Sequence, residues 1–255
     1  LFAIPLALAL GACNNSTPSS PVSAGGKTSN GAAPAGGLKD LKVEDVKPGS
    51  GTAAQAGDTV YVKYKGALAS GEVFDQTAEG GRPFKVDLGA GQVIPGWEKG
   101  LIGVKKGTVR KISIPYALAY GEAGSAPKIP ARADLFFDIE VLEVIPRSEA
   151  RTISADDLKV GQGATVDVGS KVTIEYRGLN ILGQEFESTE TIKKPVTFTV
   201  GADEAIEAID MGIRGMRAGG KRRLTVPPAL ATGINNPKVP PGEPVTYEID
   251  VVSVK

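Results

Sequence analysis

Apolar and polar positions alternate in short runs along most of the chain, the period of strands that bury one face in a sheet. Val60-Tyr-Val-Lys-Tyr-Lys, Pro83-Phe-Lys-Val-Asp-Leu, Arg110-Lys-Ile-Ser-Ile and Leu135-Phe-Phe-Asp-Ile-Glu-Val-Leu-Glu-Val each read as a strand, and Ala69-Ser-Gly-Glu supplies a turn. One stretch departs from the alternation, Gln92-Val-Ile-Pro-Gly-Trp-Glu-Lys-Gly. Pro95 can begin a helix, because its missing N–H would have no partner there, and Trp97 falls on the first turn. One short helix among alternating strands predicts an antiparallel sheet curled over that helix, an α+β arrangement.

The pattern then repeats. Tyr64 matches Tyr176, Phe74 matches Phe186, Pro83 matches Pro195, Gly89 matches Gly201, Gly100 matches Gly212 and Gly121 matches Gly233, each pair 112 positions apart. Pro130 then matches Pro240 and Phe137 matches Tyr247 at a spacing of 110, so the second copy is two residues shorter between Gly233 and Pro240. A register held over so many positions means two copies of one domain. The expected bounds are 38–146 and 150–255, with Pro146 and the charged run to Arg151 as the hinge.

Tyr64, Phe74, Asp75, Phe84, Tyr120, Ile129 and Phe137 lie around the helix at spacings that strands can bridge, and hold most of the aromatic side chains of the first copy. Such a cluster could be a pocket or a plain core. At the second copy's matching positions Asp75 becomes Glu187, Phe84 becomes Val196, Val93 becomes Ala205, Trp97 becomes Ile209 and Tyr120 becomes Thr232, while the scaffold glycines and prolines stay. A side chain needed only for packing should keep its bulk in both copies. The losses therefore favour a pocket in the first copy and a degenerate one in the second.

Leu1 to Leu10 is apolar but too short to span a bilayer, which takes about 20 residues. Together with Gly11, Ala12 and Cys13 it reads as a signal peptide, residues 1–13. Leu10-Gly-Ala-Cys13 also resembles the lipobox of bacterial lipoproteins, and that resemblance implies lipidation of Cys13 and an extracytoplasmic, lipid-anchored location in a cell envelope. Residues 14–37 are Asn, Ser, Thr, Pro, Gly and Ala with little else, the composition of a disordered tether.

Lys plus Arg and Asp plus Glu balance at 29 each, which leaves no overall basic field for nucleic acid. Lys105-Lys106 and the run Arg217 to Arg223 read as solvated turns. With no histidine and one cysteine, the chain excludes His-ligated zinc, Ser-His-Asp and Cys-His catalysis and an intrachain disulfide. No metal and no cofactor are expected.

Val62-Lys-Tyr64-Lys-Gly, Val73-Phe74-Asp75, Pro83-Phe84, Val93-Ile94-Pro-Gly-Trp97, Ile114-Pro-Tyr-Ala-Leu-Ala-Tyr120-Gly, Ile129-Pro130 and Leu135-Phe-Phe137-Asp-Ile-Glu-Val-Leu resemble, in order and spacing, the FKBP-type (macrolide-binding) peptidyl-prolyl cis-trans isomerases. The second copy is similar in scaffold and weakly so in site. The resemblance implies two tandem FKBP-like domains, each an antiparallel β-sheet wrapped around one short helix. It implies a pocket with Trp97 as floor and Tyr64, Phe74, Phe84, Val93, Ile94, Ile129 and Phe137 as walls. By the same resemblance Tyr120 and the Ile94 N–H would bond substrate carbonyls, and Asp75 would lie at the rim near the rotating amide. The implied activity is rotation of Xaa-Pro bonds in exported or envelope proteins, without a covalent intermediate, and the implied partners are unfolded or proline-containing polypeptides and macrolides such as tacrolimus. Where some members carry histidine in the loop after the Tyr-Gly pair, this chain has Ser125. A chaperone or scaffold that grips apolar segments with both copies is the alternative from another class.

Overall fold

A computed structural model of the protein describes residues 37–255. The expected signal peptide, the lipidation site Cys13 and nearly all of the expected tether lie outside the described residues. The described chain divides into two compact units, the first ending at Val141 and the second beginning at Leu142.

The first sheet is built from β1 (Lys42–Lys47), β2 (Thr59–Leu68), β3 (Val73–Gln76), β4 (Phe84–Asp87), β5 (Val109–Ile114) and β6 (Leu135–Ile145), with helix α1 at Pro95–Gly100. Its strand order is β1-β5-β6-β2-β3, and β4 pairs with the first half of β2. The second sheet repeats this plan with β7 (Ser154–Lys159), β8 (Lys171–Leu179), β9 (Glu185–Ser188), β10 (Val196–Thr199), β11 (Lys221–Val226) and β12 (Val245–Val254), in the order β10-β8-β12-β11-β7 with β9 also on β8. Two tandem FKBP-like sheets, each over a short helix, are the expected fold. The second copy adds one helical turn to it. Helix α2 (Thr189–Ile192) precedes the expected helix α3 (Glu207–Gly212); Ser188 Oγ accepts its Thr191 N–H, and Lys193, at φ 53°, ends it.

Alternation decides which face of each strand is covered. In β6, Leu135, Phe137, Ile139 and Val141 are buried, while Asp138 and Glu140 between them are exposed. Helix α1 lies directly on β5 because glycine occupies its inward positions. A Cβ on Gly96 would come within 2.3 Å of Ile114, and one on Gly100 within 2.7 Å of Ile112. The second copy keeps the closer approach at the C-terminal position, where a Cβ on Gly212 would meet Leu224 at 2.2 Å.

One guanidinium holds each helix end, sheet edge and neighbouring strand together. Arg110 Nε and Nη2 donate to the two carboxylate oxygens of Asp45 on β1 at 2.6 and 2.8 Å, and Nη1 donates to the carbonyls of Gly100 and Ile102 at 2.8 and 3.0 Å. Arg222 does the same in the second copy, to Asp157 at 2.7 and 3.1 Å and to the carbonyls of Gly212 and Arg214 at 3.0 and 3.1 Å. The run Arg217 to Arg223 is therefore not a solvated turn throughout: Arg222 and Arg223 lie on β11, and Arg223 bonds Glu248 at 2.7 Å.

The hydrogen bond to arginine holds the Asp45 and Asp157 carboxyls below the usual range. A depressed carboxyl stabilises the fold fully above its unfolded pKa, about 4, and loses that contribution as pH falls through the folded value. Arg110→Met should lower the unfolding free energy in urea by about 2–4 kcal/mol, since a charge and two carbonyls lose their partner. The wild type should lose stability as pH falls below about 4 with a steeper slope than Arg110→Met and Arg222→Met combined. Parallel slopes in the two proteins would contradict the pairing.

Candidate functional site

Trp97 sits on the first turn of α1, 4% exposed, with three rings set edge-on to it. Tyr64 from β2 is 5.1 Å away between centroids, Phe137 from β6 is 5.2 Å away and Phe84 from β4 is 5.9 Å away, at interplanar angles of 89°, 87° and 86°. Phe74 from β3 completes the box against Phe137, at 5.6 Å and 90°. Edge-on contacts put the positive rim of one ring on the negative face of the next, a favourable arrangement. Ile129 is buried, and Val93, Ile94 and Tyr120 are half-buried.

Two backbone features bring the box together. Gly66 on β2 lies so close to the walls that a Cβ there would come within 2.7 Å of both Phe74 and Phe137. On β3 the register slips: Gly66 faces Asp75 and Ala67 faces Val73, leaving Phe74 as the extra residue of a β-bulge. Regular alternation would send Phe74 and Asp75 to opposite faces. With the bulge, Phe74 packs on Phe137 while the Asp75 carboxylate accepts the Tyr64 hydroxyl at 2.7 Å. Sequence reading placed both residues at the site but gave no sign of the bulge that puts them there.

The polar groups are few. Burial, and then the Asp75 hydrogen bond and charge, push the Tyr64 phenol far up; burial and the Asp75 charge raise Tyr120 as well. Both phenols are donors. Among the described residues nothing accepts from the Tyr120 hydroxyl or from the Ile94 N–H. Glu98, absent from the expected site, fixes the loop that precedes Ile94: its carboxylate accepts the N–H groups of Gly89 and Gly91 at 2.6 and 3.0 Å. Its signal was in the repeat, where Asp210 stands 112 positions on and accepts the Gly201 N–H at 2.7 Å. Among the described residues no group of three or more acidic, histidine or cysteine side chains is placed to hold a metal ion.

The matching place in the second copy is built differently. Ile209 stands where Trp97 does, and Tyr176 and Phe186 pack on Tyr247 at 6.0 and 5.8 Å. Tyr247 is fully buried and donates to Glu187 at 3.2 Å, so its hydroxyl is already used. Burial raises the Glu187 carboxyl in spite of that bond. Ile234 of the shortened loop packs against the core cluster, and Thr232, in the place of Tyr120, is exposed.

Peptidyl-prolyl cis-trans isomerase FKBP10 of Mus musculus is 34% identical over 217 residues, 84% of this chain and 37% of that protein, and the Homo sapiens protein of that name gives the same figures. Peptidyl-prolyl cis-trans isomerase FKBP15-1 of Arabidopsis thaliana is 50% identical over 101 residues, 39% of this chain and 66% of that one. The crystal structure of the three FKBP domains of wheat FKBP73 superposes with a TM-score of 0.42 at 23% identity, covering 84% of this chain and 94% of that one. This chain thus spans little more than a third of the length of the FKBP10 proteins. The family model of the FKBP-type peptidyl-prolyl cis-trans isomerases matches residues 50–142 and again 162–252, so both copies fall within it, and the chain belongs to that family.

Proposed function

We propose that this chain catalyses cis-trans isomerisation of Xaa-Pro bonds and that the first unit does the work. The observation that carries the reading is the edge-on aromatic box on Trp97, with two unused donors, the Tyr120 hydroxyl and the Ile94 N–H, beside it.

The reaction breaks no covalent bond, but it must carry an amide over a barrier of about 18–20 kcal/mol. A twisted amide has lost its resonance; its oxygen is less negative and it is better suited to an apolar surrounding than the planar form. Ring faces of Tyr64, Phe84, Trp97 and Phe137 suit the flat, apolar pyrrolidine ring of proline. Tyr120 and Ile94 can then fix the flanking carbonyls so that rotation occurs about one bond. A thousandfold acceleration needs only about 4 kcal/mol of preferential transition-state binding, within reach of shape and two hydrogen bonds.

The second unit supports a non-catalytic role. Its floor is the smaller Ile209, its buried tyrosine is already bonded to Glu187, and a loop isoleucine packs on its core. We read its contribution as holding or spacing client chains. Leu10-Gly-Ala-Cys13 is the support for the rest of the reading, in which a lipid on Cys13 places the protein outside the cytoplasm, where newly exported chains meet slow prolyl isomerisation.

In the full-length chain, Tyr120→Phe should lower kcat/KM for a short Ala-Xaa-Pro peptide about 2–12-fold, the loss of one hydrogen bond. Trp97→Ala should abolish exchange and also lower the melting temperature. Tyr247→Phe in the second unit should leave the rate unchanged, and tacrolimus should inhibit the wild type. A wild type with no activity over a range of Xaa, yet able to bind an unfolded polypeptide, would replace this reading with the chaperone or scaffold.

A further inference from the structure

The bulge that places Phe74 and Asp75 leaves the Phe74 carbonyl outside the pairing of β3 with β2. That carbonyl is not left bare. Lys128, from the loop between Tyr120 and β6, reaches across the sequence to it, Nζ to O at 3.2 Å. The loop has its own narrow ladder, in which Ser125 and Ile129 exchange both backbone hydrogen bonds at 2.8 and 2.9 Å. Lys128 lies inside that ladder and next to Ile129, a buried wall of the cleft.

The second copy solves the same problem with other residues. Its bulge falls at Phe186, where Gly178 faces Glu187 and Leu179 faces Glu185. The Phe186 carbonyl accepts from Asn236 Nδ2 at 2.9 Å, Lys238 Nζ donates to the Glu185 carbonyl at 2.8 Å, and Asn180 Nδ2 donates to the Lys238 carbonyl at 2.9 Å. Two copies with different side chains thus tie the same loop to the same bulge. In the second copy three bonds hold a loop that carries an isoleucine onto the core; in the first the bulge carbonyl is held by one flexible ammonium.

We propose that Lys128 is a positioning residue for the isomerase cleft: by capping the bulge carbonyl of Phe74 it sets the gap between the Phe74 wall and the Ile129 wall. This rests on the reading of the first unit as the catalytic one. A flexible four-carbon stem with a single anchor lets the wall open for a bulky polypeptide and return, where the second copy's three-point tie does not. Loss of the anchor leaves the chemistry of the cleft intact and costs it pre-organisation.

The test uses the full-length chain as wild type, Lys128→Met and Lys128→Arg. Lys128→Met keeps most of the stem and should raise KM about 3–10-fold with kcat nearly unchanged, and should narrow the rate differences among peptides with Ala, Leu and Glu before proline. Lys128→Arg keeps a donor within reach and should restore most of both. Amide exchange at Ser125 and Ile129 should quicken in Lys128→Met and not in Lys128→Arg, with the melting temperature the same in all three. Unchanged kinetics in Lys128→Met, equal loss in both variants, or unchanged exchange at Ser125 and Ile129 would overturn the proposal. Exchange reads the tie without reference to turnover, so an inactive wild type whose loop still quickens in Lys128→Met would count against the catalytic reading and not against the tie.

Discussion

A helix of six residues has no stability of its own in water, and everything at this cleft depends on where α1 is held. Its last carbonyls would be left without partners at the buried end, and the Arg110 guanidinium takes that of Gly100 and the Ile102 carbonyl just beyond the helix while its other edge grips Asp45. One planar fork therefore decides the position of the helix, the sheet edge and β5 together. The N-terminal side is held by Glu98, bonded to Gly89 and Gly91 ahead of Ile94. Between these two clamps Trp97 has little freedom, so the rings that lean on it share a fixed reference.

The two copies separate what the scaffold needs from what the cleft needs. Arginine on the helix end, an acid on the preceding loop, glycine against the box and a threonine bonding the β2-type strand recur in both: Thr77 accepts the Tyr64 N–H at 3.1 Å, and Thr189 accepts the Tyr176 N–H at 3.0 Å. All of these groups bond or pack within the scaffold itself. The residues that changed, Trp97 to Ile209 and Tyr120 to Thr232 among them, are those of the proposed cleft. A fold can thus be inherited intact while its site is dismantled, because different atoms carry the two burdens.

Much of this was legible in the sequence. Alternation gave β2, β4, β5 and β6 but not the short β3 or the wholly exposed β1, Pro95 gave the start of the helix, and the 112-residue register gave the duplication. The aromatic members of the box were also readable, because so many rings in an aromatic-poor chain had few other places to gather, and the structure brings Tyr64, Phe74, Phe84 and Phe137 together around or beside Trp97. What could not be read is what depends on a partner far along the chain or on an irregular backbone. Arg110 looks like any strand arginine until Asp45, 65 residues earlier, is laid beside it. Nothing in Val73-Phe74-Asp75 marks an extra residue, and only the bulge turns two neighbours to one task. Arg222 was hidden for the same reason, within a run of charges whose partners lie on other strands.

The raised phenols have a consequence for the conditions in which such a cleft can operate. Burial and the neighbouring Asp75 raise Tyr64 far above, and Tyr120 above, the range where free phenols ionise, and the chain has no imidazole to gain or lose charge near neutrality. Through these two donors the site is buffered against its surroundings. A compartment whose acidity follows the outside medium cannot switch the cleft off by titrating them, and the carboxylates that hold the sheet edge, kept below the usual range by arginine, lose their charge only in more strongly acid surroundings.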